Sequence, residues 1–171
     1  MMRTDEEYML EALKLARYAA DLGEAPIGAV VVKESSGEII GRGYNRREVD
    51  RSPLAHAEIM ALDEASKTLG GWRVVDSVLY VTLEPCPMCA GMLVHSRVQR
   101  IVFGAYDIKS GAAGSVYNLV QDARLNHQIE LTGGVLGEQC ATRLSDFFKV
   151  RRAAKKALKQ AANAAQQTPK L

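Results

Sequence analysis

Cysteine is scarce in this chain: three residues among 171, an odd number and too few for a disulfide framework. Aromatic residues make up only 6%, with one tryptophan, so a core has to be assembled mainly from aliphatic side chains. No apolar run approaches the roughly 18 residues that a membrane-crossing helix requires. The opening Met1-Met2-Arg3-Thr4-Asp5-Glu6-Glu7 carries no apolar segment of signal-peptide length. These absences argue against a membrane protein and a disulfide-stapled secreted module, and the expectation is a cytoplasmic protein. What is present is ordinary globular composition, 47% hydrophobic and 25% charged, which can bury a core and excludes wholesale disorder. A chain of this length fits one domain.

The net charge of +2 conceals an uneven distribution. From Arg143 onward there are eight basic residues and one acid, Asp146, whereas residues 1–142 hold 14 basic and 19 acidic residues. An acidic body with a basic end suggests a polyanionic partner; a solvated helix that keeps the protein soluble is the plainer alternative.

Thr4-Asp5-Glu6-Glu7 has the form of a capping box, and Met9, Ala12, Leu13, Ala16 and Ala20 recur at helical spacing before Gly23. Ile27–Val32 and Ile39–Asn45 read as a hairpin around Ser35-Ser36-Gly37. A helix is expected over Ala55–Leu69, closed by Gly70-Gly71, and a buried strand over Val78–Leu83. Pro87 then opens a helix to about Ser96. Ile101–Gly104 and Ile129–Thr132 are further strands flanking a Gly-rich loop, and a long helix starts near Glu138. Strands alternating with helices of these lengths indicate a layered α/β fold with a mixed sheet. The last ten or so residues, rich in Ala, Gln and Lys, read as low-complexity and liable to fray.

Two stretches carry chemistry: His56-Ala57-Glu58 and Pro85-Cys86-Pro87-Met88-Cys89. Cys86 and Cys89 lie three apart on an opening helical turn, where free backbone N–H groups favour thiolates. His56 also sits at a helix start, so two packed helices with neighbouring N-termini can bring one imidazole and two thiolates together. Three protein ligands with a fourth position left for water describe a catalytic zinc; a structural zinc has four protein ligands. Glu58, two residues beyond His56, is placed to move protons beside the metal. Taken singly, a histidine at a helix start is more often a cap, and a C-x-x-C opening a helix is also the thioredoxin arrangement. Cys140 has no partner spacing and reads as a small buried hydrophobe. His95 and His127 read as structural.

The H-x-E and P-C-x-x-C pair resembles the signature of the zinc-dependent nucleobase deaminases. The likeness extends to Asn45, to Thr82-Leu83-Glu84-Pro85-Cys86-Pro87-Met88-Cys89-Ala90-Gly91-Met92 and to Val94-His95-Ser96-Arg97. It continues in Phe103-Gly104-Ala105-Tyr106-Asp107, Gly111-Ala112-Ala113-Gly114-Ser115, Leu125-Asn126-His127 and Leu144–Arg152. Together these are similar to the bacterial tRNA adenosine deaminases of the cytidine/deoxycytidylate deaminase superfamily. The zinc motif is common to cytidine, cytosine and guanine deaminases; the Asp107 loop and the Phe-Phe-Lys-Val-Arg-Arg segment separate this family from them.

The resemblance implies a cytidine-deaminase-like, three-layer α/β/α fold with a five-stranded mixed sheet, working as a homodimer. It implies hydrolytic deamination of adenosine to inosine at the wobble position of a tRNA anticodon stem-loop, mainly that of arginine tRNA. It implies one zinc per subunit with a bound water or hydroxide on His56, Cys86 and Cys89, and Glu58 as the acid and base. Asn45 is implied to contact a flipped adenine, and Asp107, Lys109, Phe148, Arg151 and Arg152 to lie against RNA. Residues 1–152 would form the deaminase domain, and 153–171 a basic helical extension or tail.

Zinc held by two thiolates and a neutral imidazole acidifies water less than a tri-histidine site, so Glu58 must supply proton transfers as base and then acid. That requires a raised pKa, which a dry pocket provides. Plainer readings stand beside the outer residues: Asn45 as a turn-former ending a strand, Asp107 as a loop-start cap or an acceptor from a ribose 2′-OH. Gly111-Ala112-Ala113-Gly114 lacks the Lys-Ser/Thr of a P-loop, so it reads as tight loop geometry and no nucleotide cofactor is expected. A deaminase of free bases or nucleosides, and a non-catalytic RNA-binding protein with a structural zinc, are the competing functions. The basic end argues against the first and Glu58 against the second.

Overall fold

The computed structural model describes residues 3–166. Helix α1 (Asp5–Asp21) starts at the expected capping box: Thr4 Oγ1 accepts from the Glu7 N–H, and the Glu7 carboxylate accepts from the Thr4 N–H. Its buried face is Tyr8, Met9, Ala12, Leu13, Ala16 and Ala19; Ala20, expected on that face, is half-buried. Strands β1 (Gly28–Lys33) and β2 (Glu38–Tyr44) form the antiparallel hairpin. Then follow α2 (Ala57–Leu69), β3 (Ser77–Leu83), α3 (Pro87–His95), β4 (Arg100–Ala105), β5 (Glu130–Gly133) and α4 (Gly137–Gln166).

The five strands lie in the order β2-β1-β3-β4-β5. β1 is antiparallel to both neighbours, while β3, β4 and β5 run parallel, so the sheet is mixed as expected. Alternation along the central strands divides the core between its faces. Val31, Leu79, Val81, Ile101 and Phe103 meet Ala61, Leu62 and Ala65 of α2 and Leu93 of α3. Val30, Val32, Val78, Tyr80 and Val102 meet Met9 and Leu13 of α1 and Cys140 of α4. The three-layer α/β/α arrangement follows from that two-sided burial.

Two details place the site. A Cβ on Gly43 would run into the Ala57 carbonyl, and one on Gly41 into the Ala61 carbonyl, so two glycines let β2 seat the first turns of α2 directly on the sheet. Helix α2 begins two residues later than expected because Ala55 and His56 remain outside it, His56 in an extended conformation at the N-cap. At the far end, α4 runs unbroken past residue 152 to Gln166, and every residue from Phe148 to Gln166 is exposed. The boundary expected at 152 therefore falls inside a helix. Of the stretch expected to fray, residues 162–166 are helical and 167–171 lie outside the described residues. No helix among the described residues is long and apolar enough to cross a membrane.

Candidate active site

Helices α2 and α3 both start beyond the ends of strands, and their N-caps are His56 and Cys86. Neither side chain makes a capping hydrogen bond, which removes the cap as an explanation for His56. They turn toward each other instead. His56 Nδ1 lies 3.7 Å from Cys86 Sγ and 3.6 Å from Cys89 Sγ, and the three donor atoms lie within 4.8 Å of one another. Pro87 at the first helical position supplies a preset turn, which puts Cys89 on the same side of α3 as Cys86.

This donor set fits zinc. A tetrahedral ion with bonds of about 2.3 Å to sulfur and about 2.0 Å to imidazole nitrogen needs N–S separations of about 3.6 Å. Two soft sulfurs and one imidazole are the ligand types zinc takes, and the group holds three residues, leaving a fourth position. The electrostatics of the ligands favour the metal. Cys86 is brought down to about 4, first by its hydrogen bond with Cys89 and then by His56, so one thiolate is already present. Cys89, which shares that hydrogen bond and is more deeply buried, is pushed upward. The pair thus shares one proton, which a cation would displace.

Glu58 is buried, with 4% of its surface exposed, in the first turn of α2. Burial pushes its carboxyl up to about 7, against the opposing pull of backbone hydrogen bonding and the His56 charge. The raised carboxyl expected at Glu58 is present, and desolvation is its cause. A cavity of about 380 Å³ opens over these groups. His56, Glu58 and Cys86 line it together with Asn45, Asp107, Lys109 and Phe148, so seven of the ten expected site residues meet there. Cys89 sits behind the wall, fully buried.

Arg151 and Arg152 do not line the cavity; they are exposed on α4 about one turn past Phe148. At about 3.6 residues per turn, Arg151, Arg152, Lys155, Lys156 and Lys159 fall on one side of α4. Leu144 and Phe148, which line the cavity, lie on that same side. Val150, Ala154, Ala157 and Ala161 lie on the opposite side.

Asp107 takes the plainer role offered for it. Its carboxylate accepts from the backbone N–H groups of Lys109 and Ser110 and from the Ser110 hydroxyl, capping its own turn. Burial raises its pKa, but those hydrogen bonds outweigh it and hold the group below the usual range. The 111–114 loop is no phosphate cradle: the N–H groups of Gly111, Ala112, Ala113 and Gly114 all donate within the protein. His127 pairs with the Val98 carbonyl, His95 stacks on Trp72, and Cys140 is buried against β4, so their structural readings stand.

Two buried carboxylates went unnoticed in the sequence. Glu84, between β3 and Cys86, accepts from the N–H groups of Asp107, Ala113 and Ser115 and from the Ser115 hydroxyl. It ties the loop over the cavity to the metal-ligand segment. An acid ending an apolar strand just before Pro85-Cys86 was the available signal. Glu24, in the α1–β1 connection, accepts from Asn45 Nδ2 and from the Glu48 and Val49 N–H groups. Nothing in the linear sequence marks it.

A three-ligand triad beside a buried carboxyl is the arrangement of a zinc-dependent hydrolase. The model of the cytidine and deoxycytidylate deaminase zinc-binding region matches residues 2–105. A tRNA-specific adenosine deaminase of Bacillus subtilis is 53% identical over 159 residues, covering 93% of this chain and 98% of the relative. One from Haemophilus influenzae is 51% identical over 152 residues, 89% of this chain and 87% of the relative. A structure from a study of A-to-I editing by tRNA:A34 deaminases at the wobble position superposes with a TM-score of 0.77 and 37% identity, covering 81% of this chain and 99% of that one. A guanine deaminase from Nitrosomonas europaea follows with 0.75 and 27%, covering 86% and 85%. The chain belongs to the cytidine and deoxycytidylate deaminase family and, within it, to the tRNA-specific adenosine deaminases.

Proposed function

We propose that this protein hydrolyses adenosine to inosine at the wobble position of a tRNA anticodon stem-loop, mainly that of arginine tRNA, as a cytoplasmic homodimer. The observation that carries the reading is a single cavity whose floor holds the His-Cys-Cys triad and a buried carboxyl, and whose rim continues into a basic helix face. A small neutral substrate needs the floor but has no use for that rim.

A zinc held by His56, Cys86 and Cys89 supplies the Lewis acid that makes water a nucleophile near neutral pH. Glu58, held near neutrality by burial, takes a proton from the water that attacks adenine C6. It passes that proton to ring N1, then takes the remaining proton of the new C6 hydroxyl and gives it to the departing amine, which leaves as ammonia while C6 keeps the oxygen as a carbonyl. A carboxyl poised at about 7 can serve as base and acid in the same turnover. Asn45 meets the adenine edge within the cavity. The flipped base leaves its stack, at a cost lower in an anticodon loop than in a duplex. Lys109, Arg151 and Arg152 contact RNA phosphates, Phe148 offers a ring to a neighbouring base, and Asp107 shapes the loop that carries Lys109. Residues 153–166 continue α4 past the proposed deaminase domain of residues 1–152, and Lys155, Lys156 and Lys159 there extend the basic face.

The test is mass spectrometry of an arginine-tRNA anticodon stem-loop incubated with zinc-loaded protein, with free adenosine and free guanine as parallel substrates. Conversion of the wobble adenosine with the free compounds untouched is expected. Turnover of guanine or adenosine with an inert stem-loop would replace this reading with a free-base or nucleoside deaminase.

A further inference from the structure

Glu24 is among the largest fully buried side chains of the protein, 1% exposed, and the reaction as written gives it no task. It sits in the α1–β1 connection, where its backbone N–H donates to the Ala19 carbonyl. Its two oxygens divide their partners. Oε1 accepts from the backbone N–H groups of Glu48 and Val49, at 2.7 and 2.8 Å. Oε2 accepts from Asn45 Nδ2 at 3.2 Å. Asn45 is itself buried and lines the cavity, and its own backbone N–H is held by the Ile27 carbonyl.

We infer that Glu24 is a positioning residue that fixes which way round the Asn45 amide faces the substrate base. The inference rests on the reading of Asn45 as a contact to adenine. A carboxylate can only accept, so the Asn45 nitrogen, and never its oxygen, must face Glu24. One amide proton is thereby committed. What remains toward the cavity is a carbonyl oxygen and one N–H side by side, the acceptor–donor pair that matches adenine N6–H and N7. A freely rotating amide would present the inverted pair half the time, and an inverted pair sets donor against donor at N6 and acceptor against acceptor at N7. Glu24 thus converts a two-fold ambiguous side chain into an edge reader for one purine.

The partition of its oxygens makes Glu24→Gln a selective perturbation. The Glu48 and Val49 N–H groups still demand an acceptor, so the new carbonyl oxygen takes the Oε1 place and the 46–52 turn keeps both bonds. The new NH2 then falls opposite Asn45, whose amide must turn its oxygen toward it. The variant inverts the reading edge while leaving the turn intact.

The experiment compares wild-type and Glu24→Gln holoenzymes on two anticodon stem-loops, one with adenosine and one with 7-deazaadenosine at the wobble position. For wild type, kcat/KM should fall by about tenfold or more on the deaza substrate, the scale of removing one good base-edge hydrogen bond. Glu24→Gln should lose a similar factor on adenosine while its preference for adenosine over 7-deazaadenosine collapses, with zinc content unchanged. Full activity in the variant, or reduced activity with the preference intact, would overturn the inference, the latter marking a merely structural carboxylate. A wild-type enzyme inert on the adenosine stem-loop would instead overturn the proposed function. Should the variant fail to fold, 15N NMR of the wild-type Asn45 side chain decides: one slowly exchanging amide proton is expected, and rapid exchange of both would refute the inference.

Discussion

The two ends of the cavity are built on opposite principles. Its floor, at the N-termini of α2 and α3, is partly to fully buried, and the titratable groups there are shifted by burial and by one another. Its rim reaches α4 at Leu144 and Phe148, and past that rim the five basic residues between Arg151 and Lys159 are exposed. A buried site gains strength from low dielectric and fixed geometry, which chemistry needs. An exposed row of cations acts through screened, salt-dependent attraction, which is enough to hold a polyanion but not to stabilise a transition state. The family model ends at residue 105, so it spans the floor and stops short of α4. The difference teaches that the buried groups suited to chemistry and the exposed cations suited to a polyanion lie in separate parts of the chain.

Breaking the floor should have the largest effect. Cys86→Ala removes a ligand, and zinc measured by atomic emission should fall well below one per chain with activity at background. Glu58→Ala comes next, because it leaves the three ligands untouched: zinc should stay bound while turnover drops by about 10²–10⁴-fold or more. A metallated, folded Glu58→Ala enzyme with near-normal turnover would remove that carboxyl from the mechanism.

Breaking the rim should be milder and different in kind. Replacing Arg151, Arg152, Lys155 and Lys156 by Gln should raise KM for the stem-loop and leave kcat largely intact. The log–log salt dependence of binding should flatten by about 0.7–0.9 for each phosphate that is no longer neutralised. An unchanged slope in a filter-binding titration would return α4 to the role of a solubilising helix.

The smallest effect is expected where neither end is touched. Asp5 at the start of α1 accepts from Arg100, at 2.6 and 3.1 Å, and from the Tyr80 hydroxyl at 2.8 Å, joining α1 to β3 and β4. Burial raises its pKa, but the Arg100 and Tyr80 bonds outweigh burial and hold it below its ordinary value. A carboxylate depressed in the folded state adds stability above its unfolded pKa of about 3.9, and that share is lost as pH falls through the folded value. The pair is partly open to solvent, which screens it, so Asp5→Asn should cost no more than about 1 kcal/mol at neutral pH and less in acid, with kcat unchanged. Urea midpoints at several pH values check it.

Much of this was legible in the sequence because the signals were local. The Thr4 capping box, the apolar runs of β1 and β3 and the turn at Gly70 each depend on neighbours within a few residues. The metal ligands were legible for the same reason: two short motifs at two helix starts carry all three, and Glu58 with them. What escaped depends on groups far apart in the chain. Glu24 meets Asn45 across 21 residues and Glu84 meets Ser115 across 31, and single-sequence patterns give no weight to such pairings. Gly41 and Gly43 read as hairpin residues, although their task is to admit α2. That Asp107 caps its own turn shows only in its three intramolecular donors, which the sequence reading of a loop-start cap left open beside an RNA contact.

The separation of floor from rim is tested most directly by single-turnover deamination of an arginine-tRNA anticodon stem-loop at saturating enzyme. Saturation removes binding from the measurement, so only chemistry remains. The quadruple α4 variant should then recover the wild-type rate, while Glu58→Ala stays about 10²–10⁴-fold slower. If the α4 variant at saturation were as slow as Glu58→Ala, the rim would belong to the chemistry, and floor and rim would not be separate devices.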